Sequence, residues 1–102
     1  MSENQNRADI RLRILQVLYK QPGYTANQEV MIAQLKTQGY LLGRDKLHIE
    51  LAWLDQQADM LVDRASSGVH IATLTGDGLD LVNGVISLPG IREPRPEELP
   101  NG

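Results

Sequence analysis

The 102-residue sequence contains no cysteine, which excludes disulfide bonds and thiolate metal sites. It also contains no run approaching the roughly 20 apolar residues that a membrane-spanning helix requires, and its polar N-terminus, MSENQNRADI, shows no signal peptide. We therefore expect a cytoplasmic protein with no membrane partner. A chain of this length predicts one domain with a single modest core.

The sequence has no excess of positive charge, because ten basic and thirteen acidic side chains give a net charge of −3. The distribution is uneven. Residues 1–43 carry five basic and three acidic side chains, whereas residues 44–80 carry three basic and seven acidic ones. Since a DNA-binding surface is usually basic, the acidic second half argues against DNA recognition there.

Motifs for catalysis and cofactor binding are also missing. The sequence has no glycine-rich phosphate loop, paired-histidine zinc motif or nucleophile elbow. Thr75-Gly76-Asp77-Gly78 suggests the start of a cation loop, but the remaining calcium ligands do not follow it. The two histidines, His48 and His70, belong to different predicted elements. We therefore predict no enzyme, no cofactor and no metal site.

Helical periodicity dominates the first part of the chain. Residues 1–5 are expected to be a disordered lead, and Asn6 with Asp9 forms a capping pair for the first helix. Two apolar stripes follow on this helix: Ile10, Ile14, Val17 and Leu18 form one, and Leu12, Leu15 and Tyr19 the other. Either the helix is central in the core, or one stripe forms a homodimer contact.

The next segment predicts two further helices joined by a short turn. Thr25 and Gln28 form a capping box for the second helix, and Gly39 is suited to the left-handed conformation that closes it. Gly43 takes the N-cap of the third helix, whose inward-facing residues are Leu47, Leu51 and Leu54. Two helices so close together, with a glycine between them, form a helix-turn-helix pattern.

Two short strands, a last helix and a tail complete the chain. Residues 61–65 and 69–74 are rich in β-branched and apolar residues and are joined by Ser66-Ser67-Gly68, which predicts a β-hairpin. Thr75 caps a last helix that runs to Ile86. The fold class is therefore α+β and mainly α, with one domain over residues 6–91. Residues 92–102 are proline-rich and charged, which predicts a disordered tail.

The third helix and its flanks carry a distinctive pattern: G-Y-L-L-G-R-D-K-L-x-x-x-L-x-x-L from Gly39 to Leu54, then Leu61-Val62 and Leu74-Thr75-x-x-Gly78. In this pattern the chain resembles winged helix-turn-helix regulators of the ArsR/MarR type. The resemblance implies a three-helix core, a two-stranded hairpin as the wing and a C-terminal helix. The whole chain, with Leu88-Pro89-Gly90-Ile91-Arg92 before the tail, also resembles small uncharacterised proteins of Mu-like phages.

The resemblance implies a phage or bacterial transcriptional regulator that binds double-stranded DNA, and we expect it to be a homodimer. The candidate DNA-binding residues are Arg44, Lys46 and His48 on the third helix, Arg64 on the wing, and Thr25 and Asn27 at the start of the second helix. Arg44 and Lys46 are equally compatible with an ordinary solvated face. The alternative function is a protein-interaction module, favoured by the acidic second half and by the outward positions of Ile49 and Ala52.

Overall fold

A computed structural model describes residues 3–100 of the chain, with side chains from residue 5. This part contains four α-helices, three β-strands and two short 3-10 turns. The helices are α1 (Glu3–Tyr19), α2 (Gln28–Thr37), α3 (Arg44–Gln56) and α4 (Gly76–Val82). The strands are β1 (Thr25–Asn27), β2 (Leu61–Ser66) and β3 (Val69–Leu74), and the 3-10 turns are Pro22–Tyr24 and Pro96–Glu98. The expected α+β class is confirmed, and no described helix is long and apolar enough to cross a membrane.

α1 is the central helix of the core, with α2, α3, α4 and the sheet packed around it. Both of its apolar stripes are covered within the chain, and its fully buried side chains are Leu12, Ile14, Leu15 and Leu18. The inward-facing leucines of α3 enter the same core, as predicted, and none of them has exposed surface. The apolar surface of α1 that suggested a homodimer contact is therefore covered by the protein itself.

The sheet has three antiparallel strands in the order β1–β3–β2, whereas the sequence pattern predicts two strands. The additional strand is the three-residue β1, in which Ala26 is buried and pairs with Ala72 of β3. Its neighbour Thr25 shares a hydroxyl–hydroxyl hydrogen bond of 2.8 Å with Thr73. So short a strand cannot show the alternation by which strands are recognised in a sequence.

The starts of α1 and α2 differ from the predicted ones. α1 begins at Glu3, ahead of the predicted cap at Asn6, and residues 1 and 2 of the predicted lead lie outside the described residues. α2 is capped by Asn27, whose side chain accepts a hydrogen bond from the N–H of Val30 at 2.9 Å. The predicted cap, Thr25, is instead extended in β1 with its hydroxyl engaged by β3.

α4 is shorter than predicted. Thr75 caps it as expected, accepting from the N–H of Gly78 at 3.0 Å, but the helix ends at Val82. Gly84 then adopts a positive φ of 76°, and a left-handed residue at this position ends an α-helix. A Cβ atom on Gly78 would lie 2.1 Å from the carbonyl oxygen of Met60, so the close packing of α4 against the preceding connection requires glycine there.

The C-terminal segment is folded, which corrects the expectation of a disordered tail from residue 92. Ile91 is buried, and the backbone N–H of Arg92 donates to the carbonyl oxygen of Ala8 in α1 at 3.1 Å. The Arg92 side chain donates to Asp9 of α1 and to Glu98 within the segment. The charges that suggest disorder are therefore complementary to charges on α1. We name residues 88–100 the strap.

Candidate nucleic-acid interface

A short turn presents α3 at the surface. Gly39, with a φ of 91°, is the left-handed residue that closes α2, as predicted. The N–H of Tyr40 donates to the carbonyl oxygen of Leu35 at 2.9 Å, and Gly43 forms the N-cap of α3, also as predicted. The backbone therefore fixes where α3 begins, independently of the side chains on its outer face.

The outer face of α3 is mixed in character. Arg44, Asp45 and Lys46 in the first turn are exposed, and Ile49 in the next turn is 57% exposed. Residues one turn apart lie on the same side of a helix, so Asp45 and Ile49 form the centre of this face, with Arg44 and Lys46 at its edges. Two candidate DNA-binding cations thus flank one acidic and one apolar side chain.

Arg44 is paired but remains accessible. Its guanidinium lies 2.8 Å from the carboxylate of Glu29 on α2, and the two side chains are 65% and 57% exposed. Exposed ion pairs contribute at most about 1 kcal/mol to stability, so Arg44 can exchange this partner for a phosphate group. The same pair places Arg44 beside the first turn of α2, which Asn27 caps.

His48 lies at the edge of the outer face and is half-buried. Its Nε2 is 2.8 Å from Oε1 of Gln28, and its ring stacks on His70 of β3, with ring centroids 3.7 Å apart. Asp63 of β2 lies 2.9 Å from Nδ1 of His70. The two histidines are therefore neighbours in a polar cluster that joins α2, α3 and the hairpin. No group of three or more histidine, aspartate or glutamate side chains within residues 5–100 is placed to hold a metal ion.

The other three candidate residues share one face of the sheet. Two rows of paired residues cross this face: Asn27–Ile71–Arg64 and Thr25–Thr73–Val62. Directly paired residues point to the same side of a sheet, and the exposure of Arg64, Val62 and Ile71 shows that this side faces away from the core. Thr25, Asn27 and Arg64 therefore lie together on the outer face of the sheet, whereas Arg44, Lys46 and His48 belong to α3.

Glu50 is an acidic residue of α3 that lies in the interior. Its carboxylate accepts from Arg7 at 2.9 Å and from Arg11 at 2.8 Å, both on α1, and the residue is 1% exposed. Arg11 also stacks on Trp53 of α3 and donates to the carbonyl oxygen of Gly90 in the strap. A sequence signal for this burial exists, because Glu50 shares the helix face of the three inward leucines.

Apart from Asp45, the other acidic residues of positions 44–80 are paired or distant from the hairpin turn. Asp63 is bound to His70, and Asp55 accepts the N–H of Asp63 at 2.9 Å. At the open end of the hairpin, where β2 begins and β3 leads into α4, lie Asp59, Asp77 and Asp80. That end is roughly 15–20 Å from the turn, by the rise of the strands. Among the described acidic side chains of α3, Asp45 is the exposed one.

Comparison with known proteins finds relatives of undetermined function. No family model and no solved structure matches the chain. An uncharacterised protein of Haemophilus influenzae is 33% identical over 67 residues, which are 66% of this chain and 65% of that protein. The uncharacterised protein gp26 of Escherichia phage Mu is 31% identical over 71 residues, which are 70% of this chain and 73% of the phage protein. The chain belongs to the family of this phage protein.

This membership confirms the resemblance to proteins of Mu-like phages. The names of both relatives assign no activity, so the resemblance to ArsR/MarR regulators stays a prediction. The chain also spans less than two thirds of the Haemophilus protein that it matches. The residues that bear on a function are therefore those on the surface of α3 and the sheet.

Proposed function

We propose that this protein is a winged-helix DNA-binding protein that acts in phage or bacterial transcriptional control. The observation that carries the proposal is the arrangement of its elements. α2 and α3 are consecutive helices joined by a short turn, the hairpin β2–β3 follows α3 in the chain, and Arg44, Asp45, Lys46 and Ile49 of α3 are exposed. A helix presented in this way can enter the major groove, and the hairpin then lies beside the DNA backbone as a wing.

The hairpin turn has a form suited to that role. Ser67 and Gly68 both have positive φ values, of 53° and 78°, which is the two-residue turn that continues the twist of its strands. The tip, Ser66 to Gly68, is exposed and uncharged. Serine hydroxyls and backbone N–H groups commonly donate to phosphate oxygens, so an uncharged tip of this kind is compatible with a phosphate backbone.

The local electrostatics support DNA binding better than the net charge does. Arg44, Lys46 and Arg64 are exposed, whereas Glu50 is buried and neutralised by α1 and Asp63 is bound to His70. Three cations per chain give modest affinity, because each phosphate contact adds a limited electrostatic contribution. A homodimer, which doubles the number of cations, remains part of the proposal, on a surface other than the buried stripes of α1.

A second candidate function rests on the centre of the outer face of α3. Ile49 is 57% exposed there, beside Asp45, where a base-reading helix carries polar side chains that hydrogen-bond to base edges. An exposed apolar side chain next to a carboxylate favours a protein partner instead. The alternative is therefore an interaction module that uses the same face of α3.

DNA binding by α3 can be tested with a fluorescent random-sequence duplex and the Arg44→Ala/Lys46→Ala double variant. We expect the wild-type protein to bind with a dissociation constant near 10⁻⁴–10⁻⁶ M at physiological salt, and more tightly at low salt. Loss of two phosphate contacts should reduce the slope of log affinity against log salt by about 1.8. The matched control is Lys20→Ala/Arg95→Ala, which removes the same charge from exposed positions outside α3 and the sheet and should leave that slope unchanged.

Two outcomes contradict the proposal. Equal losses in both double variants would show that binding follows net charge and does not involve α3. The second is that no anisotropy change occurs up to about 100 μM protein at low salt, because even non-specific DNA binding should be detected at that concentration. In that second case the outer face of α3 is to be treated as a protein-binding surface.

A further inference from the structure

Gln28 is a buried polar residue at a point where three elements meet. It is the first residue of α2 and is 4% exposed. Its Oε1 is 2.8 Å from Nε2 of His48 on α3 and 3.0 Å from the backbone nitrogen of His70 on β3. Burial of an amide side chain is costly unless the amide is hydrogen-bonded, so these two contacts compensate for the burial of Gln28.

The donor and acceptor roles in this cluster follow from the backbone. A backbone N–H only donates and an amide nitrogen does not accept, so the atom of the Gln28 side chain that faces the N–H of His70 is the oxygen. The same oxygen faces Nε2 of His48, which must therefore carry a hydrogen. The amide nitrogen of Gln28 lies 3.5 Å from Oε1 of Glu29, in agreement with this orientation. One side-chain oxygen thus accepts a donor from α3 and a donor from the hairpin.

The register of the sheet explains why a side chain is needed at this point. β1 pairs with β3 as far as Asn27 and Ile71, so residue 28 would pair with His70 if the strand continued. Instead α2 begins at Gln28, and its main chain is helical. The side-chain oxygen therefore binds the N–H of His70 in the way that a main-chain carbonyl oxygen of a longer strand would.

The contact between α3 and the hairpin also includes the stacked rings of His48 and His70, whose centroids are 3.7 Å apart. Stacked rings tolerate a range of offsets, whereas a hydrogen bond weakens steeply when its angle or length changes. The stack therefore keeps the two elements close together, and the two hydrogen bonds to Gln28 determine their relative position.

We propose that Gln28 is a positioning residue that sets the hairpin against α3. Its single oxygen binds one donor on each element and so fixes the spacing between the third helix and the wing. The consequence for DNA rests on the proposed function, because α3 and the wing must then contact the duplex together. Gln28 is buried and acts through His48 and the hairpin, without touching the DNA.

The positioning role can be tested without DNA by NMR. At about pH 8.5, where an imidazole is ordinarily neutral, the ring nitrogen shifts of the wild-type protein should place the hydrogen of His48 on Nε2. Gln28→Met keeps the length of the side chain but has no oxygen, so the amide hydrogen of His70 should exchange about tenfold faster. Gln28→Glu retains an acceptor oxygen at the same reach and should restore slow exchange. Gln34→Met, the same substitution at an exposed position of α2, is the matched control and should leave this exchange unchanged.

Two results of this experiment overturn the proposal. The first is a hydrogen on Nδ1 of His48 in the wild-type protein, which requires no variant and therefore decides even if Gln28→Met does not fold. The second is an exchange rate of the His70 amide in Gln28→Met that equals the wild-type rate or rises only as much as the rates throughout α1. An equal rise in α1 would show a general loss of stability in place of a local role.

A double-variant cycle tests the consequence for DNA. Arg64→Ala, on the wing, should weaken DNA binding several-fold in the wild-type background and by a smaller factor in the Gln28→Met background. Arg44→Ala, on α3, should cause the same loss in both, because distant and independent sites are additive. Equal losses from Arg64→Ala in the two backgrounds would mean that the wing keeps its position without Gln28, which overturns the proposal. If the wild-type protein does not bind DNA, or if Arg64→Ala does not weaken its binding, the proposed function fails, and the NMR experiment still decides the role of Gln28.

Discussion

α3 carries two arginine–glutamate pairs of the same length in opposite environments. On its inner side, Glu50 lies 2.8 Å from Arg11, and the side chains of this pair are only 1% and 9% exposed. On its outer side, Arg44 lies 2.8 Å from Glu29, and both side chains are more than half exposed. The geometry of the two pairs is alike, so the difference between them lies in their access to water.

This difference in exposure makes Arg11–Glu50 a structural pair, whereas Arg44 of the other pair is accessible to a binding partner. Arg11 is enclosed by the ring of Trp53 and the carbonyl oxygen of Gly90, so its charge depends on Glu50 for compensation. Arg44 can be solvated whenever Glu29 is displaced. One helix therefore presents an inner polar side that fixes its position on α1 and the strap, and an outer side whose charges remain free for a partner.

The largest effect is expected when the carboxylate of each pair is neutralised. Glu50→Gln leaves Arg11 as an uncompensated buried charge, and we expect a loss of unfolding free energy of about 3 kcal/mol or more. Glu29→Gln is the matched control and should change the same quantity by less than about 1 kcal/mol. Urea unfolding of both variants at pH 7 measures the two changes. Similar losses in the two variants would mean that burial does not distinguish the pairs.

A smaller effect concerns the strap, which is held to α1 by charges of intermediate exposure. The hydrogen bond from Arg92 lowers the pKa of Glu98 from its ordinary value near 4.5 to about 2, with help from the backbone N–H of Arg95 and from Arg13. A carboxyl group whose folded-state pKa is lowered contributes stability at pH values above its unfolded pKa. That contribution disappears as the pH falls from about 4.5 towards 2.

Glu98→Gln should therefore be less stable than the wild-type protein at pH 7, and the difference should shrink between about pH 4.5 and pH 2. Glu97 provides the matched control, because it is the preceding residue and is exposed. Glu97→Gln should follow the wild-type pH dependence. The measurement is the urea midpoint of each protein across this pH range. If Glu98→Gln and the wild type gave parallel curves, Glu98 would not stabilise the fold through its ionised carboxylate.

The parts of the fold that local patterns determine are those that could be predicted. The leucine spacing of α3, the glycine that closes α2 and the Thr75 cap each depend on residues within one turn of one another. β1 and the strap are different. Thr25 forms a strand because Thr73 lies opposite it, and the strap is ordered because Arg92 meets Asp9 on α1. Neither pairing can be inferred from the composition of the segments themselves.

The candidate site likewise has features that depend on local sequence and features that depend on distant residues. The exposure of Arg44 and Lys46 follows from helix periodicity and could be predicted. The position of His48 could not, because its burial depends on His70 and Gln28, which lie 22 and 20 residues away in the chain. The count of acidic residues was misleading for a related reason. Glu50 contributes to the count of acidic residues, but it is buried and its charge is compensated by Arg7 and Arg11 of α1.

The smallest effect is expected for two exposed apolar residues, Leu41 in the turn before α3 and Ile49 on the outer side of α3. Leu41 and Ile49 are 81% and 57% exposed, so replacing either with glutamine removes little buried surface, and glutamine is also a good helix former for position 49. Each substitution should change the unfolding free energy by no more than about 0.5 kcal/mol. Ile91→Gln is the contrast, because this residue of the strap is 5% exposed and its replacement should cost about 2 kcal/mol or more.

A large loss in Leu41→Gln or Ile49→Gln would mean that the outer side is covered in solution, for example by a second copy of the chain. Unfolding midpoints that depend on protein concentration in the wild type alone would then identify that copy as the cover.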